Sequence, residues 1–197
     1  MAPKSKSKTA GSRRRPLVFQ GVALRCGTRY EEEARAGGFA IVAGLDEVGR
    51  GALCGPVVAG AAVLGDGFLC DGLDDSKRLT PKQREALAER IRTGARAWAL
   101  GFAEVDEIDR FNILRATHLA MRRALQALAV KSDLVLVDGL PVPELPVPQR
   151  AIVKGDARSV SIAAASIVAK VARDGIMREC DRRFPGYGFA TNAGYAS

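Results

Sequence analysis

Three short apolar stretches of this chain each lead into acidic residues with a glycine nearby. They are Phe39–Leu45 before Asp46-Glu47, Leu134–Val137 before Asp138-Gly139, and Ala151–Lys154 before Gly155-Asp156. Small and β-branched residues dominate these stretches, which is typical of buried strands. Helical segments lie between the first two of these strands and after the third, so the pattern predicts one compact α/β domain with acids at the ends of its strands.

Two further strands and three helices complete the predicted domain. The strands are Pro56–Leu64 and Ala95–Ala103, and the helices run from Pro81 to about Arg92, from Phe111 to about Val130, and from Ser161 to Cys180. Thr80 is the predicted N-cap of the first helix, because a Thr-Pro pair is typical of a helix start. Four prolines within residues 141–148 argue against a helix in that connection.

The helix from Phe111 carries apolar residues at spacings of three and four. This stripe comprises Phe111, Leu114, His118, Met121, Leu125 and Leu128. Because His118 lies on the stripe, we predict that it packs in the core and does not serve as a ligand or general base.

Basic charge is concentrated at the N-terminus. Residues 1–40 hold nine Lys or Arg and three Glu, in a chain whose net charge is +8. We predict a disordered basic arm over residues 1–16, an extension with one short helix over residues 17–38, and the folded domain over residues 39–197. The arm could raise affinity for a polyanion by counterion release, or could simply solubilise the chain.

The cysteines and the hydropathy pattern exclude several protein classes. Cys26, Cys54, Cys70 and Cys180 lack the spacing of a zinc site, and a chain of this size does not need a disulfide framework. No stretch approaches the ~20 apolar residues of a membrane span, and the N-terminus lacks the apolar segment of a secretory signal. We therefore expect a cytoplasmic protein without membrane contact.

Acids at three strand ends favour a metal site. Asp46, Glu47, Asp138 and Asp156 cannot all remain ionised in one cleft unless cations offset their charge. Ligation by oxygen alone indicates Mg²⁺ or Mn²⁺, and two such ions suit hydrolysis of a phosphodiester. Any single acid among the four could instead be a turn residue or a helix cap.

Several motifs in order resemble the ribonuclease HII family from about Phe39 to the end of the chain. They are Gly44-Leu45-Asp46-Glu47-Val48-Gly49-Arg50-Gly51, Asp75-Ser76-Lys77-Arg78-Leu79, Phe111-Asn112-Ile113-Leu114, Val137-Asp138-Gly139, and the block from Lys154-Gly155-Asp156 to Arg173-Asp174. The resemblance implies an RNase H-like α/β fold, with a five-stranded mixed sheet flanked by helices. It also implies an endoribonuclease that cuts RNA in RNA–DNA hybrids and 5′ to ribonucleotides embedded in duplex DNA, leaving 3′-hydroxyl and 5′-phosphate ends.

The resemblance assigns roles to individual residues. Asp46, Glu47, Asp138 and Asp156 match the acids that bind two Mg²⁺ or Mn²⁺ ions. Gly49, Arg50 and Gly51 match the loop that contacts the ribose 2′-hydroxyl, the group that distinguishes RNA from DNA. Tyr195 matches a tyrosine that stacks on the sugar at the RNA–DNA junction. Candidates for phosphate contacts are Lys77, Arg50, Lys154, Ser159 and Ser166; the alternatives are ordinary solvated charge for the basic residues and helix capping for the serines. Asp174 is expected to anchor its helix outside the metal site.

Two departures from the family pattern bear on substrate binding. Asn192-Ala193 stands where the family has a His-Lys pair, and the sequence ends two residues after Tyr195, a short or truncated C-terminus. The alternatives are a non-catalytic protein that binds hybrids or duplexes, and another RNase H-like nuclease such as a resolvase. We expect a monomer whose partners are RNA–DNA hybrid and ribonucleotide-containing DNA.

Overall fold

A five-stranded mixed sheet forms the centre of the protein. The computed structural model describes residues 26–196, so the predicted arm at 1–16 lies outside the described residues. The strands are β1 (Val42–Val48), β2 (Val57–Val63), β3 (Ala97–Ala103), β4 (Leu134–Asp138) and β5 (Gln149–Ile152). The helices are α1 (Arg29–Ala36), α2 (Pro81–Gly94), α3 (Val105–Phe111), α4 (Ile113–Gln126), α5 (Val160–Arg183) and α6 (Phe189–Asn192).

The order of strands across the sheet is β3-β2-β1-β4-β5. β1, β4 and β5 run parallel, and β2 pairs antiparallel with both β1 and β3. The predicted mixed sheet flanked by helices is therefore confirmed. Since β1 and β4 are parallel neighbours, their C-terminal ends lie at the same edge of the sheet, where both strands carry acids.

Helices cover both faces of the sheet. One core combines α4 with residues of β1, β2 and β4 such as Leu45, and the opposite face carries α5 and α2. α5 packs very closely on the sheet: a Cβ built on Gly44 of β1 would lie only 2.1 Å from the Ser161 carbonyl carbon, so only glycine fits there. α5 thus lies against the strand that carries Asp46, which places its side chains beside the acidic edge.

Strand and helix boundaries differ from the predictions near the site. β1 continues to Val48, so Asp46 and Glu47 lie within the strand and pair with β2. β5 ends at Ile152, and Asp156 belongs to a single 3-10 turn, Gly155–Ala157. Both changes shift the acids relative to the strand ends without removing them from this edge.

The predicted helix from Phe111 is two helices separated by Asn112. Asn112 ends α3 and caps α4, with φ of 72° and with its side-chain oxygen accepting from the backbone N–H of Arg115. The buried face of α4 consists of Ala116, Thr117, Ala120, Met121, Ala124 and Leu125. The prediction that His118 packs in the core is wrong: it is half-buried at the edge of this face, and burial, Arg122 and Arg50 lower its pKa.

Candidate active site

Asp46 lies on the α5 side of the sheet and is almost fully buried. The alternation of side chains along β1 places Asp46 on the same face as Gly44, which contacts α5. One oxygen of Asp46 accepts a 2.7 Å hydrogen bond from the backbone N–H of Glu47. Burial raises the pKa of Asp46 well above its usual range, and the negative charges of Glu47 and Asp138 add to this, while Ser166 acts in the opposite direction.

Asp138 and Asp156 are connected through the backbone. The Asp138 carboxylate accepts a 2.6 Å hydrogen bond from the N–H of Gly155, the residue before Asp156. Asp156 is buried, and burial followed by the charge of Asp138 raises its pKa. The three aspartates therefore act on one another electrostatically, although they come from three separate segments of the chain.

Two cations oppose the negative charge at this edge. Arg50 lies 3.7 Å from the Glu47 carboxylate, and the Lys77 ammonium lies 3.4 Å from that of Asp156. Burial raises the pKa of Glu47 and Arg50 partly offsets the rise. Both cations are substantially exposed, with 49% of the Arg50 and 78% of the Lys77 side chain accessible. They can therefore turn towards an anionic ligand.

The donor atoms at the edge suit a hard divalent cation. The four acids offer only carboxylate oxygens, which Mg²⁺ and Mn²⁺ prefer. Among residues 26–196, no three Asp, Glu, His or Cys side chains converge closely enough to hold one ion. The residues present fit a divalent metal by their chemistry, since all four supply carboxylate oxygens, and the charges of Glu47 and Asp138 that help raise the pKa of Asp46 are ones that a cation would offset.

The Gly49-Arg50-Gly51 loop follows β1 directly and has little space behind it. Gly49 has φ of 102°, and a Cβ there would lie 2.4 Å from the side-chain Nε of Arg173. Gly51 is open, with no atom within 4 Å of a built Cβ. The loop thus has one closely packed glycine at its base and an accessible backbone at its tip.

Arg173 of α5 joins this loop to the C-terminal segment. Its guanidinium is fully buried and donates to the backbone carbonyls of Pro56 at 2.9 Å, Cys54 at 2.9 Å and Ala193 at 2.7 Å. Arg173 lies within one of the sequence motifs, but the sequence alone indicated no role for it. The sequence feature that could have indicated its role is a basic residue in a helix that is rich in alanine.

Tyr195 lies beside two cations of α5. The Arg173 guanidinium is 5.4 Å and the Lys170 ammonium 5.8 Å from the centre of its ring. The preceding Gly194 accepts a 2.8 Å hydrogen bond from the N–H of Leu53, in the segment after the Gly49–Gly51 loop. Tyr195 is 37% exposed, so part of its ring is free to contact a ligand.

The remaining predicted residues divide into buried and exposed groups. Ser159 caps α5, and Ser166 lies 3.0 Å from the hydroxyl of Ser76. Both serines are buried: Ser159 acts as the expected helix cap, whereas Ser166 lies beside Asp46, whose pKa it lowers. Lys154 is exposed next to the 3-10 turn. Asp174 pairs with Lys170 at 2.6 Å and with Arg84 of α2 at 3.7 Å, which fastens α5 to α2.

None of the helices in the described part of the chain is long and apolar enough to cross a membrane. Cys26, Cys54, Cys70 and Cys180 are all free thiols.

Comparisons with known proteins give a consistent result. The family profile described as Ribonuclease HII matches residues 43–197. Ribonuclease HII of Myxococcus xanthus (strain DK1622) is 54% identical over 185 residues, covering 93% of this chain and 63% of that protein. Ribonuclease HII of Ruegeria sp. (strain TM1040) is 55% identical over 168 residues, covering 85% of this chain and 73% of that protein.

The solved structures agree with the fold. The crystal structure of the ribonuclease H2 from Pyrococcus horikoshii OT3 has a TM-score of 0.67 and 30% sequence identity, and the match covers 80% of this chain and 81% of that one. This likeness confirms the expected RNase H-like fold. The chain spans less than two thirds of the length of the Myxococcus protein.

Proposed function

Because this chain belongs to the ribonuclease HII family, we propose that it is a metal-dependent endoribonuclease. Its substrates are RNA in RNA–DNA hybrids and single ribonucleotides within duplex DNA. The observation that carries this proposal is the group of four acids at one sheet edge, three of which have raised pKa values. Such a group suits a site that functions with bound cations.

Asp46, Glu47, Asp138 and Asp156 would hold Mg²⁺ or Mn²⁺. When bound, two such ions supply an activated water and stabilise the departing 3′ oxygen of the phosphodiester. The protein contributes the fixed positions of the carboxylates: the Glu47 N–H holds Asp46, and the Gly155 N–H holds Asp138. The expected products carry 3′-hydroxyl and 5′-phosphate ends.

The residues around the acids would bind the substrate. Arg50 and Lys77 are exposed cations within 4 Å of the acids, so a scissile phosphate at this edge lies within their reach. The open backbone at Gly51 allows close approach to a ribose 2′-hydroxyl. The partly exposed ring of Tyr195 offers a surface for stacking on a sugar. These contacts would select a ribonucleotide at the position 3′ to the cut, since cleavage takes place 5′ to the ribonucleotide.

We also propose that the enzyme acts as a monomer in the cytoplasm. Its four cysteines are unpaired thiols, as a reducing compartment maintains them. The N-terminal basic residues would add affinity for the duplex that depends on salt.

A duplex with one embedded ribonucleotide tests the proposal. We expect cleavage 5′ to the ribonucleotide with Mg²⁺ or Mn²⁺ and none with a chelator. Asp46→Asn and Asp138→Asn should each abolish cleavage and retain the circular dichroism of the native fold. Tight binding without cleavage would favour the non-catalytic alternative, and cutting of branched all-DNA substrates would favour a resolvase. Full activity of either variant would refute the assignment of the acids.

A further inference from the structure

Glu31 of α1 is a carboxylate buried far from solvent at the start of α5. It is 2% exposed, and one oxygen accepts hydrogen bonds from the Ser159 hydroxyl at 2.6 Å and from the backbone N–H of Ser161 at 2.9 Å. Burying a carboxylate is unfavourable unless donors compensate, and both of these donors reach the same oxygen, while the other oxygen is buried without a hydrogen-bond partner among the described residues. The Glu31 side chain is therefore held at one place on α5.

This contact gives the N-terminus of α5 a second cap from another element. The hydroxyl of Ser159 already accepts from the N–H of Ile162, as an N-cap does, and Glu31 fixes that hydroxyl from outside the helix. The positive end of the helix dipole also favours a carboxylate at this position. A backbone hydrogen bond from the Val160 N–H to the Gly27 carbonyl, at 3.2 Å, attaches the preceding segment to the same place.

Ser159, the N-cap of α5, lies three positions after Asp156. The N–H of Ser159 donates to the Gly155 carbonyl at 2.8 Å, which closes the turn that carries Asp156. The N–H of Gly155 then donates to the Asp138 carboxylate. A continuous series of hydrogen bonds thus runs from Glu31 through Ser159 and Gly155 to Asp138.

We infer that Glu31 is a positioning residue that holds Asp156 in register with Asp138. Glu31 reaches neither the metal nor the substrate, and it acts through the segment that carries Asp156. The inference rests on the proposed function, because it assigns Glu31 to the same site. Residues that support ligands in this way typically change metal affinity 10–100-fold when they are lost, so we expect Glu31→Ala to weaken Mn²⁺ binding about tenfold.

Calorimetric titration of the full chain with Mn²⁺ measures this effect without substrate. Glu31→Gln keeps a carbonyl oxygen for both donors, so it should restore most of the affinity. Glu33→Ala is the matched control on the same helix, because Glu33 is exposed and pairs with Arg29 and Arg150 without reaching α5. Amide exchange at Gly155 should be faster in Glu31→Ala than in either of the other variants.

The outcomes are distinct. Weaker Mn²⁺ binding and faster Gly155 exchange in Glu31→Ala alone would support the inference. Native affinity and native Gly155 exchange in that variant, even with a lower melting temperature, would overturn it and leave the proposed function standing. If Glu31→Ala does not fold, Ser159→Ala breaks the same link and should give the same weakening. Absence of Mn²⁺ binding by the native protein would overturn both the inference and the proposed function.

Discussion

Replacing Arg173 with lysine should destabilise the protein and disturb substrate binding together. The guanidinium donates to carbonyls of Cys54, Pro56 and Ala193, and an ammonium concentrated on one atom cannot reach all three. Losing two hydrogen bonds from a charged donor, at about 1.5–3 kcal/mol each, gives an upper range of about 3–6 kcal/mol. Since water and side-chain movement recover part of this, we expect about 3 kcal/mol, or a fall in melting temperature of about 6–12 °C.

Thermal unfolding and steady-state cleavage measure the two effects separately. Because Arg173 supports both the Gly49–Gly51 loop and the segment of Tyr195, the KM for a duplex with one ribonucleotide should rise at temperatures where the variant is folded. Arg178→Lys is the matched control on α5, since that side chain is 51% exposed and its acidic partner Glu85 is 3.9 Å away. An Arg173→Lys protein with native stability and native KM would refute this account of the site.

Three further predictions concern the acidic edge and its packing. In metal-free buffer, Asp46→Asn should raise the melting temperature at neutral pH. The pKa of the Asp46 carboxyl is higher in the folded than in the unfolded protein, so this carboxyl lowers the stability of the fold as the pH rises above its unfolded pKa of about 3.9. The difference should vanish below that pH, and a variant less stable than the native protein at pH 7 would contradict it. Gly44→Ala should cost at least about 3 kcal/mol in urea unfolding, because its Cβ would overlap the backbone of α5, whereas Gly51→Ala should leave stability unchanged. Lys77→Met should leave stability within about 0.5 kcal/mol, since the side chain is exposed, but should raise the KM in cleavage assays.

Local signals in the sequence predicted most of the elements that form the site. Thr80 and Pro81 start α2 as expected, with a full capping box between Thr80 and Gln83. The apolar runs of β1 and β4 identified neighbouring strands, because continuous burial on both faces leaves a continuous apolar pattern. These features depend on residues close together in the chain, so they can be predicted from the sequence alone.

The buried face of α4 was predicted only in part: Met121 and Leu125 are buried as expected, but the rest of the face differs for a reason specific to its packing. The expected stripe followed the larger apolar residues and therefore included His118. The helix instead buries a face of alanines, because a Cβ on Gly101 of β3 would lie 2.1 Å from the Ala120 carbonyl oxygen. Only small residues fit such a close approach, and hydrophobic size alone could not indicate it. The positive φ of Asn112, which divides the predicted helix in two, could not be predicted either, because the helical pattern of the sequence continues through this residue.

The role of Arg173 was beyond sequence reasoning because two of its three acceptors lie more than 100 residues away in the chain. Together with Glu31, it shows why α5 determines the geometry of the site. Glu31 contacts the helix at Ser159, beside the turn of Asp156. Arg173 lies fourteen residues further along α5, about 20 Å along its axis, where it packs against Gly49 and holds the segment before Tyr195. A rigid helix between these two points sets the distance between the acids and the predicted sugar contacts. Variants at either point should therefore impair different steps: metal binding at Glu31, and substrate recognition at Arg173.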